Sequence, residues 1–184
     1  MRLLKLRDYG EEIKHRRLNK PDPVTRDRVL NLEDPYVKDI LDRIGRKPSD
    51  YRVAKRVAKL KEEYPNGTLP ELIAIDWLNQ KNIQYYYLVQ IYGGHARRGG
   101  VEIDLLVKHG GRGLAWMIMG EYWHHKPEVA ASDIIDQKKI IGTLEHGIRV
   151  NKVVALWEKD IYEKRPRVFE YALMGIGLRD PVVI

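Results

Sequence analysis

The sequence contains no cysteine among its 184 residues. Disulfide frameworks, thiolate zinc sites and cysteine nucleophiles are therefore excluded. The chain also lacks any apolar run close to the roughly 18 residues that a membrane-spanning helix needs, and it lacks phosphate-loop spacing, so we expect neither a membrane partner nor a nucleotide cofactor. Charged residues interrupt every apolar stretch at the start of the chain, which argues against secretion. We expect a globular protein with an intracellular (cytoplasmic) or virion-associated location.

Positive charge is concentrated in the first third of the chain. The whole sequence has a net charge of +7 and a pI of about 9.5. Residues 1–65 contain 18 Lys and Arg against 12 Asp and Glu, whereas residues 66–184 contain 15 against 14. Such a basic flank favours binding to a polyphosphate such as DNA, although an acidic protein, an anionic membrane surface or simple solubility would also explain it.

A turn at residues 65–67 divides the chain into two predicted parts. Residues 1–65 are predicted to form a basic, mainly helical N-terminal extension, with one helix at residues 35–44 and another capped by Ser49 and Asp50. The second helix has a basic face that could either grip phosphates or simply be solvated. This face comprises Arg52, Lys55, Arg56, Lys59 and Lys61.

Residues 66–184 carry an α/β pattern. A capping-box signature at residues 68–71 starts a helix that runs to about Gln80. The predicted strands cover residues 85–92, 101–107, 114–119 and 152–157, and the later helices cover residues 130–145 and 168–174.

The second and third predicted strands differ in their patterns. In the second, apolar residues alternate with more polar ones, so Asp104 is expected on the face opposite a single apolar row. That row comprises Val101, Ile103, Leu105 and Val107. The third strand is apolar on both faces, as in a central strand that is covered on both sides.

The segment GEYWHH at residues 120–125 is the most specific feature of the sequence. It is accompanied, in a fixed order, by VEID at 101–104, DQKK at 136–139, GIRV at 147–150 and LWEKDI at 156–161. Together with Glu71, the ordered blocks resemble the very-short-patch-repair (Vsr-like) endonuclease family of the PD-(D/E)XK nuclease superfamily, including related Glu-Asp-His-Asp homing endonucleases. The resemblance covers residues 66–165, approximately, and depends on the whole set because each block alone is common.

The resemblance implies a restriction-endonuclease-like α/β fold, with a central mixed sheet flanked by helices, in a nuclease domain at residues 66–184. It also implies a metal-dependent endonuclease that cuts or nicks double-stranded DNA with Mg²⁺, or with Mn²⁺ as a substitute. By position, Asp104 matches the family's metal-binding aspartate and His124 its catalytic histidine, which would act as the general base. The backbone carbonyl of Ile118 matches a further metal ligand.

The remaining candidate residues follow from the same resemblance or from local composition. Glu71 and Asp136 match acidic positions that complete the Glu-Asp-His-Asp set. Trp123 matches an aromatic residue that stacks into DNA. Three basic residues are expected to contact DNA, namely Arg97 and Arg98 in a glycine-rich loop and Lys139 in a predicted helix.

Each candidate also has a purely structural explanation. Glu71 could serve only as the capping partner of Thr68, and Asp104 could be a solvated strand residue. His124 could be a packing residue beside Trp123, and Asp136 could form only an exposed ion pair one helical turn from Lys139.

One departure from the superfamily concerns the third strand. Many relatives carry acidic residues where this chain has Met117 and Met119, and thioethers are poor ligands for magnesium. The alternative reading is therefore a catalytically inactive nuclease-fold protein that acts as a DNA-binding or phage-particle structural component.

Overall fold

The first helices begin and end at residues that satisfy their terminal backbone groups. The computed structural model describes residues 34–94, 99–121, 135 and 137–179. Helix α1 (Pro35–Ile44) starts after Asp34, whose side chain accepts a 2.8 Å hydrogen bond from the N–H of Tyr36, and stops at Gly45, whose φ is 106°. Both ends were predicted from the sequence and are confirmed.

Helix α2 (Pro48–Glu63) begins earlier than predicted, because its N-cap is Lys47. Ser49 and Asp50 lie inside the first turn, where Asp50 accepts a 2.9 Å hydrogen bond from the N–H of Lys47. Helix α3 (Leu69–Gln80) begins at the predicted capping box, in which Glu71 Oε2 accepts the N–H of Thr68 at 3.2 Å.

A mixed sheet follows the three helices. Its strands are β1 (Gln84–Ile91), β2 (Val101–His109), β3 (Arg112–Met119), β4 (Leu144–Glu145) and β5 (Ile148–Trp157). The strand order is β1-β2-β3-β5-β4, with β3 and β5 parallel and the other neighbours antiparallel. Two further helices close the fold, α4 (Glu158–Lys164) and α5 (Arg167–Leu173). The expectation of an α/β protein with a mixed sheet and helices is confirmed.

The region before β5 differs from its prediction. The helix expected at residues 130–145 ends at Ile140 among the described residues, because Gly142 follows with a φ of 90°. Residues 144–145 form the edge strand β4 instead, and α4 was not predicted at all. None of the helices in the described ranges is long and apolar enough to cross a membrane.

One hydrophobic core joins the first three helices to a face of the sheet. Trp77, Trp116 and Phe169 lie together in it, with ring centroids 5.2 to 6.4 Å apart. Ile40 of α1 and Val57 of α2 are fully buried in the same core. Within the described residues, the turn at 65–67 therefore does not separate two hydrophobic cores.

Polar contacts reinforce this packing. They also engage two basic side chains of α2 within the protein. Arg56 Nε donates to Asp76 Oδ1 of α3 at 2.6 Å, and Lys61 Nζ donates to the carbonyl of Gly67 at 2.8 Å. Arg56 and Lys61, which belong to the predicted basic face, thus make internal contacts.

The apolar row predicted along β2 is split between the two faces of the sheet. Val101 and Ile103 pack in a second, smaller cluster, whereas Leu105 and Val107 belong to the main core. The reversal lies at Asp104, which faces Leu88 in the register of β1 and β2. Leu88 has a φ of 50°, in the left-handed region, so it interrupts the regular alternation of side chains. The prediction of a single row was wrong, because the apolar residues of β2 before and after Asp104 lie on opposite faces of the sheet.

The shared core predicts that α1 is required for stability. Replacing Ile40 with alanine should lower the free energy of unfolding by about 2–5 kcal/mol, since it leaves a cavity at a fully buried site. Ile141→Ala is the matched control, because this side chain is 53% exposed and its loss should change stability by less than about 0.5 kcal/mol. Urea denaturation measures both, and equal effects would show that α1 does not share the core.

Candidate active site

An open cleft of about 330 Å³ lies where the start of α3 meets the ends of β3 and β5. Since β3 and β5 are parallel, their carboxyl ends lie at the same edge of the sheet, which is a common position for ligand sites in α/β folds. The lining includes residues from α1, α3, the end of β3 and α4, among them Asp39, Arg43, Glu71, Ile118, Gly120 and Glu158.

Glu71 has two hydrogen-bond donors in this site. Besides the N–H of Thr68, the hydroxyl of Tyr87 on β1 donates to Glu71 Oε2 at 2.7 Å. Both bonds use the same carboxylate oxygen. The capping explanation of Glu71 is confirmed, and the bond to Tyr87 is a contact that capping does not require.

Asp104 lies where the pairing of β2 and β3 ends. The last pair in this ladder is Leu105 with Trp116, and beyond it the N–H of Ile118 donates to Asp104 Oδ2 at 2.6 Å. Asp104 is thus a partly buried residue that satisfies a backbone donor, and it is not a freely solvated one.

The surroundings of Asp104 disfavour its negative charge. Burial, together with the charges of Glu71 and Glu102, raises the pKa of its carboxyl to about 7, although the hydrogen bond from the Ile118 N–H acts to lower it. A carboxyl group held close to other carboxylates is stabilised in its ionised form when a cation binds among them.

The structure brings Glu71, Asp104 and Ile118 together, and it does not place Lys139 with them. Lys139 precedes Ile140, which belongs to the second hydrophobic cluster, and it does not line the cleft. The other five sequence candidates lie outside the described residues, namely Arg97, Arg98, Trp123, His124 and Asp136. Within the described ranges, no three or more His, Asp or Glu side chains form a group that could hold a metal ion.

Met117 and Met119 have packing roles. Met119 is buried, and Met117 packs against the second cluster. Their side chains therefore contribute to packing at these two positions of β3.

Glu158 is a residue of the cleft that the sequence analysis did not single out. Its Oε1 accepts a 2.8 Å hydrogen bond from the Tyr162 hydroxyl and lies 3.7 Å from Arg43 Nη1. Glu158 directly follows the last residue of β5. Its position at the end of a strand is the feature of the sequence that could have identified it as a site residue. Recognising it required the parallel pairing of β3 with β5, which the sequence pattern did not reveal.

A cluster around Arg179 ties the ends of β3 and β5 together. Its guanidinium donates to both carboxylate oxygens of Glu121 and, at 2.8 Å, to Asp160 Oδ2. It also lies over the ring of Trp157, 4.4 Å from the centroid. Although burial acts to raise the pKa of Asp160, hydrogen bonds from Lys164 and Arg179 hold it below its usual value.

No family model, curated protein or solved structure matches the chain. Two carboxylates and a backbone segment from three different elements converge at one edge of the sheet, beside an open cleft.

The raised pKa of Asp104 predicts how stability depends on pH. Between about pH 4 and 7 the unfolded chain releases this proton while the folded protein retains it, so stability decreases as pH rises through that interval. Asp104→Asn keeps an acceptor for the Ile118 N–H and removes the charge. The variant should melt about 8–16 °C higher than the wild type at pH 8, because the raised pKa corresponds to about 4 kcal/mol, and at the same temperature near pH 3.

Melting temperatures measured across this pH range, without divalent cations, test the prediction. Glu163→Gln is the control, since it removes an exposed carboxylate from α4. If Asp104→Asn and the control follow the same pH dependence, Asp104 does not carry the unfavourable charge.

Proposed function

We propose that this protein is a metal-dependent endonuclease that hydrolyses phosphodiester bonds in double-stranded DNA, by cutting or nicking it. The observation that carries the proposal is the convergence of Glu71, Asp104 and Ile118 at one edge of the sheet. These residues are far apart in sequence, and two of them are acidic in a partly buried setting. The resemblance to Vsr-like endonucleases gives the same three positions.

The donor set fits a hard divalent cation. Glu71 and Asp104 offer carboxylate oxygens, and the backbone carbonyl of Ile118 offers a third oxygen, which are the ligand types that Mg²⁺ and Mn²⁺ prefer. Glu71 and Ile118 both line the cleft, Asp104 is bonded to the N–H of Ile118, and the charge of Glu71 acts on Asp104. When bound, Mg²⁺ supplies charge neutralisation at the phosphate and a more acidic water.

The chain's own residues supply the remaining steps in this proposal. His124 takes the proton of the attacking water as a new P–O bond forms and a P–O ester bond of the DNA backbone breaks. Asp136 is the second aspartate of the Glu-Asp-His-Asp set, with Glu71, Asp104 and His124. Trp123 stacks into the DNA, and Arg97, Arg98 and Lys139 contact the duplex as basic residues.

Two observations favour a second candidate, a nuclease-fold protein without catalysis that binds DNA or serves in a phage particle. Met117 and Met119 are packed in apolar surroundings. The Asp104 carboxylate already accepts a backbone hydrogen bond and has a raised pKa, which would also suit a residue kept neutral for structural reasons.

Asp104→Asn separates these two functions. The variant should lose Mg²⁺-dependent nicking of supercoiled plasmid DNA and retain DNA affinity within about twofold, because one anionic ligand is lost and the shape is kept. Glu163→Gln should cleave like the wild type. Full activity in Asp104→Asn would remove Asp104 from the site. Salt-sensitive DNA binding with no Mg²⁺-dependent cleavage by the wild type would establish the second candidate.

His124 and His125 can be ranked by single substitutions. His124→Ala should slow cleavage by about 10² to 10⁴, which is the usual contribution of a positioned base, whereas His125→Ala should have a smaller effect. Single-turnover rates at saturating Mg²⁺ provide the comparison. The reverse ranking would assign the base to His125.

A further inference from the structure

Tyr87 connects β1 to the candidate site on α3. Its hydroxyl donates to Glu71 Oε2 at 2.7 Å, and its ring meets the ring of Tyr64 edge to face at 5.2 Å. The N–H of Thr68 binds the same oxygen, so neither donor engages Oε1. Both bonds therefore hold the Glu71 carboxylate through Oε2.

The backbone next to Tyr87 is strained. Tyr85 and Tyr87 pack against the main core, whereas Val89 and Ile91 belong to the second cluster, so the strand changes face at Leu88. A leucine at a φ of 50° is unfavourable by about 1–3 kcal/mol, and such residues persist where the surrounding structure holds them, often at functional sites.

The Tyr87 hydroxyl lies in an acidic environment. Burial raises its pKa well above the ordinary value, and the hydrogen bond and charge of Glu71 and the charges of Asp104 and Glu102 raise it further.

We propose that Tyr87 is a positioning residue that holds the Glu71 carboxylate by one oxygen and leaves the other for a divalent cation, so that it sets the cation affinity of the site. The inference rests on the proposed metal-dependent function. Groups that orient a metal ligand through a hydrogen bond typically change metal affinity by about 10–100-fold when they are removed.

The same strand offers a matched control. Tyr85, two residues earlier, also packs against the main core, and its hydroxyl donates to Asn79 Oδ1 of the same helix at 3.1 Å. Tyr85→Phe and Tyr87→Phe each remove one hydroxyl that links β1 to α3. Only Tyr87→Phe removes a bond to Glu71, and it keeps the ring that packs on Tyr64.

Mn²⁺ binding to the full chain is measured by electron paramagnetic resonance, without DNA. Tyr87→Phe should weaken Mn²⁺ affinity by about 10–100-fold, whereas Tyr85→Phe should leave it within about threefold. In cleavage assays, Tyr87→Phe should raise the Mg²⁺ concentration for half-maximal activity and preserve the rate at saturating Mg²⁺. On a Glu71→Gln background, Tyr87→Phe should have no further effect on Mn²⁺ binding.

The outcomes separate this inference from the proposed function. If the wild type binds Mn²⁺ and Tyr87→Phe alone weakens binding, but no DNA is cleaved, Tyr87 is a positioning residue and the nuclease proposal is wrong. If the wild type cleaves DNA and the two tyrosine variants bind Mn²⁺ equally, the inference is wrong. A wild-type chain that binds no Mn²⁺ overturns it as well.

Discussion

The hydrogen bond between the Ile118 N–H and Asp104 joins the fold to the candidate site. Pairing between β2 and β3 ends one step earlier, so this backbone donor has no strand partner in a partly buried position. Leaving such a donor unsatisfied costs about 1–3 kcal/mol. A carboxylate at residue 104 satisfies it, and the same bond fixes that carboxylate near Glu71. The hydrogen bond between Ile118 and Asp104 therefore both closes the end of the β2–β3 pairing and places a carboxyl group in the candidate site.

The N-terminal helices help to shape the cleft. Arg165 connects the end of α1, the start of α2 and α4, because its guanidinium donates to the carbonyls of Ile44 and Tyr162 and to the Asp50 carboxylate. With α1 held in this way, Arg43 reaches Glu158 on the cleft wall. The sequence predicted a basic extension at residues 1–65. From residue 34 onward, this segment packs in the same hydrophobic core as the elements that form the candidate site.

Local signals in the sequence predicted local structure well. Asp34 and Gly45 mark the ends of α1, and the pairing of Thr68 with Glu71 marks the start of α3, because capping depends on neighbouring residues. The split of the apolar row of β2 between two faces was not predicted, since the period-two pattern of residues 101–107 assumes a regular strand. The short strand β4 depends on its pairing with β5, which the local sequence does not reveal.

For the site, the residue types could be predicted from the sequence alone, and the resemblance supplied their combination. Glu71 and Asp104 are separated by a helix, a strand and a loop, so their proximity follows only from the packing of α3 beside β1 and β2. Tyr87 and Glu158 were missed because their roles depend on contacts between elements. The roles of His124, Trp123 and Asp136 stay predictions.

The contacts of Arg179 also bear on the order in which the molecule is assembled. Its pairing with Glu121 closes a loop of 58 residues, and contacts of such sequence separation carry a larger entropic cost than helix or hairpin contacts do. The pairing also needs Asp160 and Trp157 in place, so it follows the formation of β5 and α4. We therefore expect the contacts of Arg179 that hold the end of β3 to form late in folding, after β5 and α4.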